Sequence, residues 1–254
     1  MAKLIRLFTK QMFCSKSVLC ILIFGFYLLL AEGYGPDLIT VSKMFSDPES
    51  NGYQSFFSAF SYGYFYYAAC IFCVIPAVSF VRSMTEQGMN DRIVTRFGKD
   101  SVIVAQWVSA QLSGGCALLF PTVVYFLFCR INNAVYCSDI VLPGAGLWND
   151  VADEYGIWAS ICLLLFLVFL FGATWSNVGL TISYFTTNQY AAYTMPFVIC
   201  LTSTICFPAQ LQPFEMMIPL RWSQFSLLHV FLYSICISLI SVIVLWKRWR
   251  SNEK

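Results

Sequence analysis

The chain has 254 residues, of which 59% are hydrophobic and 11% charged, with a formal net charge of +2. Soluble domains carry about 25% charged residues, so a chain this poor in charge cannot cover itself with water-facing side chains and reads as an integral membrane protein. The balance of charge also lacks the basic excess that nucleic-acid binding requires.

Residues 1–16, MAKLIRLFTKQMFCSK, place Lys3, Arg6 and Lys10 on one helical face and Leu4, Leu7 and Phe8 on another. This pattern fits an amphipathic helix lying at the membrane surface, or equally the positive flank of a signal anchor. The apolar run that follows predicts a first span over about 17–31. Ala31-Glu32-Gly33 lacks the small-x-small cleavage pattern, so the span is read as retained. Gly35-Pro36, Asp47-Pro48 and Asn51-Gly52 punctuate a loop. The aromatic run from Tyr53 to Tyr67, including Phe56, Phe57, Phe60 and Phe65, reads as an interfacial belt at headgroup level or a platform for an amphiphile. Further spans are predicted over about 61–81, 102–129, 157–182, 190–207 and 226–246. Each is near the roughly 20 residues that cross a hydrocarbon core. In the third, Gly114-Gly115 invites close approach of a neighbouring helix, and Pro121 a kink. The expected fold is therefore one all-α domain over residues 1–254, with six transmembrane helices.

Lys and Arg set the orientation. Lys3, Arg6, Lys10 and Lys16 precede the first span; Arg82, Arg92, Arg96 and Lys99 lie between the second and third; Lys247, Arg248, Arg250 and Lys254 follow the sixth. The three opposite loops hold Lys43, Arg130 and Arg221. Both termini and the 82–100 loop are thus expected in the cytoplasm, in a multi-pass protein of the cell membrane.

The spans contain essentially no Asp, Glu, Lys or Arg, the groups that mark proton relays and ion paths. His229 is the one histidine and sits at the start of the sixth span, without a partner motif. No catalytic residue and no metal site is expected. Cys70 and Cys73 are spaced CxxC inside a span with no second ligand pair nearby in sequence, and most other cysteines are apolar packing residues. Cys129 and Cys137 flank an outside loop where a disulfide is one possibility. A carrier or intramembrane enzyme would have to act through neutral polar groups at depth such as Asn177 or Asn188. Gly98-Lys99 is no phosphate loop, because Asp100 stands where Ser or Thr is needed and Ile93 where the first Gly is needed.

The segment Arg82–Asp100, RSMTEQGMNDRIVTRFGKD, is the long polar break on the positive side. A short amphipathic helix is predicted from Asn90, capped by Asn90 or Asp91 and ended by Gly98. Ile93 and Phe97 stand at i, i+4 on one face, with Arg92 and Arg96 on the adjacent one. The alternative is an ordinary solvated turn.

Six spans, a basic amphipathic N-terminus, Glu86-Gln87-Gly88 after the second span, and an apolar-basic segment leading into a long third span together resemble the membrane subunit of a type-2, exporter-like ABC transporter. The compact size is also similar to permeases of lantibiotic self-immunity and multidrug export. The resemblance implies a coupling helix that docks in a cleft of a separate soluble ATPase, with Glu86, Gly88, Arg92, Ile93, Arg96 and Phe97 as coupling residues. It also implies a second permease copy or paralogue, and ATP and Mg used by the partner while this chain binds no cofactor. The Pro-punctuated stretch Pro208–Phe225 resembles the family's partly re-entrant outer helices. The family often carries Pro or Ser-Arg after the coupling segment, where this chain has Phe97-Gly98-Lys99-Asp100. The competing expectation is a structural or regulatory multi-pass protein without transport activity.

Overall fold

The structure is a computed structural model that describes residues 1–13, 16–34, 52–61, 65–132, 151, 153–208, 212–216 and 227–251. In chain order the helices are α1 (Ala2–Phe13), α2 (Lys16–Tyr34), α3 (Gly52–Ser61), α4 (Phe65–Phe72), α5 (Ile75–Glu86), α6 (Met89–Phe97), α7 (Lys99–Asn132), α8 (Ile157–Ser183), α9 (Gln189–Cys206) and α10 (Leu227–Ser251), with a 3₁₀ turn at Pro213–Met216. All regular structure among the described residues is helical.

Four stretches are long and apolar enough to cross a membrane: Tyr67–Glu86, Lys99–Ile131, Ile157–Ser183 and Leu227–Arg250, with the bent pair α1–α2 making a fifth if it counts as one span. The predicted first and fifth spans coincide with α2 and α9, which do not qualify singly. The second span runs to Glu86 rather than 81. Arg82 and Glu86 pair at i, i+4 (2.8 Å), carrying the helix beyond its apolar run. That span is also broken at Cys73-Val74, because Pro76 in the first turn of α5 supplies no N–H. Cys73 N–H to Ala69 O (3.0 Å) and Val78 N–H to Val74 O (3.1 Å) carry the hydrogen bonding across the break.

The principal packing is α7 against α8. The two run antiparallel and nearly touch at the glycines: a Cβ on Gly114 would lie 2.7 Å from the Gly172 carbonyl oxygen and 2.2 Å from Ser176 Cβ. Small residues here replace side-chain interdigitation with backbone contact, the usual means of association where apolar burial gives little advantage over lipid. α10 lies on α8 and is the least covered span, with 22% of its apolar stretch buried against 50–61% in the other three.

Two apolar clusters occupy the two ends of the bundle. One gathers Phe56, Phe57, Phe60, Phe65, Tyr125, Leu164 and Phe171. The expected interfacial belt is therefore corrected at these phenylalanines, which are at most 2% exposed. Phe56 stacks on Tyr125 (6.0 Å between centroids), whose hydroxyl donates to the Ser55 carbonyl (3.1 Å). Phe214, in the 3₁₀ turn, reaches back to Tyr67 (5.0 Å between centroids) and Phe171, so this part of the stretch expected to re-enter does contact the core. Residues 209–211 and 217–225 of that stretch, and Cys137 with its suggested bridge to Cys129, lie outside the described residues.

The second cluster joins α1, α5 and the start of α7 with Leu180 and Leu245. Leu4, Phe8 and Met12 form one buried stripe of α1, while Lys3, Arg6 and Lys10 are exposed. The apolar stripe of α1 thus faces protein, with Phe8 against Phe80 (5.0 Å) and Thr9 hydrogen-bonded to Ser109 (3.2 Å).

Candidate functional site

α6 is bounded by two glycines in the left-handed half of backbone space, Gly88 (φ +60°) and Gly98 (φ +78°). Each takes a backbone conformation in which a Cβ would be strained, so a nine-residue helix is set off between two spans as a separate element. It begins at Met89, so Gly88 takes the N-cap place that Asn90 or Asp91 was expected to fill; Gly98 ends it as predicted. The Gly98 N–H bonds the Val94 carbonyl (2.9 Å).

The six predicted residues divide. Met89, Ile93 and Val94 pack against the second cluster, so Ile93 is half-buried. Arg92, Arg96 and Phe97 are exposed, Phe97 at 52%. Ile93 and Phe97 therefore do not form one projecting pair: Ile93 anchors the helix and Phe97 projects. Gly88 lies in open surroundings, with nothing within 4 Å of a Cβ built there. Glu86 is paired with Arg82, and Arg82 Nη1 also donates to the Thr187 carbonyl (2.7 Å), tying the end of α5 to the turn between α8 and α9.

That turn borders a pocket of about 220 Å³ lined by Arg82, Thr85, Phe185, Thr187 and Arg248, with the Arg248 guanidinium 5.4 Å from the Phe185 ring centre. Asp100, whose presence excluded a phosphate loop, has a structural use. It lies in the first turn of α7, where a negative charge complements the helix dipole, and accepts from Trp246 Nε1 (3.1 Å). The ends of α5, α7, α8 and α10 and the whole of α6 thus form one polar end of the bundle.

A polar layer runs from this end into the bundle, as far as about three helical turns. Asn177 is fully buried. With its amide oxygen turned to the donors, it accepts from Trp107 Nε1 (3.1 Å) and Gln111 Nε2 (3.0 Å) and donates to the Trp107 carbonyl (3.2 Å). Tyr184 donates to Gln106 Oε1 (2.8 Å), and Thr181 to the Ser241 carbonyl (3.2 Å). Asn188, the other polar residue singled out at depth, is a helix cap instead: its Oδ1 accepts from Tyr190 N–H (2.9 Å). His229 is in the first turn of α10, on its exposed side.

Sequence reading missed the company Cys70 and Cys73 keep, because α9 brings the Cys200 thiol to them from 130 and 127 residues away. Even so, no group of three or more His, Cys, Asp or Glu among the described residues is placed to hold a metal ion. Nothing in the local pattern of α4 could have pointed to Cys200, since the approach is made by tertiary packing.

No family model, no curated protein and no solved structure matches this chain.

Proposed function

We propose that the chain is the membrane-spanning permease subunit of an ATP-driven exporter, worked by a separate soluble ATPase that docks on α6. The observation that carries this reading is α6 itself: a nine-residue helix hinged by Gly88 and Gly98, anchored by Ile93 and presenting Arg92, Arg96 and Phe97 outward. An exposed aromatic flanked by arginines is the composition of an interface hot spot. A helix fixed between two spans can pass a partner's motion to both. Lys and Arg gather at this end of the bundle, which the positive-inside rule puts in the cytoplasm together with both termini.

In this reading α2 and α9 complete six spans in the cell membrane, α1 lies at the cytoplasmic interface, and a second permease copy or paralogue completes the transporter. ATP and Mg belong to the partner. The nearly uncharged spans suit an amphiphilic cargo, such as a peptide, drug or lipid-like molecule, better than an ion.

Affinity purification of the tagged chain from its native membranes in mild detergent tests the reading. A soluble ATPase with a phosphate loop should accompany the chain in near-stoichiometric amount, and Phe97→Asp should remove it without loss of the chain from the membrane. A preparation with no nucleotide-hydrolysing partner would favour a structural or regulatory membrane protein.

A further inference from the structure

A lateral groove of about 270 Å³ runs between α7, α8 and α10, lined by Trp107, Gln111, Phe169, Thr174, Ser234 and Ser238 among others. None of its lining residues is charged. It lies within three of the apolar spans, and Ser234 is 13 residues from Lys247, about 20 Å along the helix. The adjacent α10 residues Ile235 and Leu239 are 53% and 48% exposed, so the groove opens sideways, toward the bilayer.

Its polar groups are arranged in two ways. Trp107 and Gln111 are fixed from behind by Asn177. Ser234, by contrast, is 3% exposed and its hydroxyl has no partner. Hydroxyls elsewhere in the bundle bond the carbonyl four residues back, as Thr174 does to Leu170 (2.8 Å) and Thr202 to Val198 (2.8 Å). A buried hydroxyl left unpaired is destabilising, a cost that a ligand acceptor would recover.

We propose that this groove is a binding site for a single-chain amphiphile with an uncharged, hydrogen-bonding head, entering from the bilayer. The head bonds Ser234 once that hydroxyl turns out of the wall into the groove, and the chain lies along Phe169, Leu170 and Leu239. A charged head would be desolvated with no counter-ion in the lining. The groove, about 270 Å³, holds on the order of nine water-sized groups, enough for the head and the first methylenes, with the rest of the chain lying outside it in the bilayer. The inference needs only the membrane location, not the ATPase, so it fails or survives independently of the proposed transport.

The full chain in phosphatidylcholine nanodiscs is photolabelled with a monoacylglycerol carrying a diazirine in its chain, and in parallel with the matched diazirine alkane lacking the head. Adducts are mapped by mass spectrometry. In the unmodified protein the monoacylglycerol should label the groove segments of α7, α8 and α10 about fivefold more than the alkane, and unlabelled monoacylglycerol should compete. Ser234→Val should reduce labelling to the alkane level, while Ser234→Thr, which keeps the hydroxyl, should retain it. Equal labelling by the two probes in the unmodified protein would overturn the proposal. So would full monoacylglycerol labelling of a folded Ser234→Val variant.

Discussion

Asn177 has the most consequential single side chain in the buried polar layer. It joins α8 to two residues of α7 through three hydrogen bonds and has no exposure. Asn177→Leu keeps the branched shape at a somewhat larger volume and removes the acceptor for Trp107 and Gln111. Weighing the penalty for unpaired donors against the modest worth of hydrogen bonds measured in membranes, we expect a loss of about 1–2 kcal/mol. Thermal unfolding in detergent should show the midpoint lowered by about 2–8 °C; an unchanged midpoint would mean the network contributes nothing net. Sequence alone marks Asn177 as a polar residue at depth. It does not reveal that its partners are Trp107 and Gln111, because a helix packed by backbone contact at Gly114 and Gly172 brings together residues that no local spacing relates. The same limit applies to Asn188, whose capping bond depends on where α9 begins.

At the scale of elements, α6 separates the two residues that an ideal helical wheel places together. Met89, Ile93 and Val94 reach the apolar cluster, whereas Phe97, one turn further toward Gly98, is past its edge. The two substitutions should therefore differ. Ile93→Asp puts a charge into a half-buried contact and should loosen α6, read as faster proteolysis between Glu86 and Lys99. Phe97→Asp should leave proteolysis unchanged and weaken binding of the proposed ATPase by about 30-fold or more, the scale of an aromatic hot spot worth at least about 2 kcal/mol. Equal effects of the two on proteolysis would contradict the division of roles. The existence of α6 and its end at Gly98 are legible in sequence through the glycine and the amphipathic pattern. Its start is not, because the left-handed conformation of Gly88 displaces the capping side chains from the terminus. The aromatic run was misjudged for a related reason. Hydrophobicity does not tell lipid from protein interior, and only the arrival of Tyr125 and Phe126 makes Phe56 a core residue.

For the whole molecule, boundaries are clearest where an apolar run meets a polar turn. The fourth span, predicted over 157–182, is α8 at Ile157–Ser183, between Gly156 and the turn that begins at Tyr184. The third exceeds its apolar run at both ends. Its 34 residues make a helix of about 51 Å, well over the roughly 30 Å core. A helix of that length extends from the polar end of the bundle through the layer around Asn177 to Tyr125 at the far cluster. It contacts α1, α6, α8 and α10, so a displacement of α6 has a direct mechanical route to the groove between α7, α8 and α10.

The central claim, that a soluble ATPase seats on this element, is tested most directly by placing the photo-crosslinking residue p-benzoylphenylalanine at position 97 and irradiating intact cells. The account predicts one dominant adduct with a nucleotide-binding ATPase subunit, absent when the crosslinker is placed at position 131, in the exposed last turn of α7 at the opposite end of the bundle. No adduct at position 97, or adducts only with membrane proteins that bind no nucleotide, would contradict it.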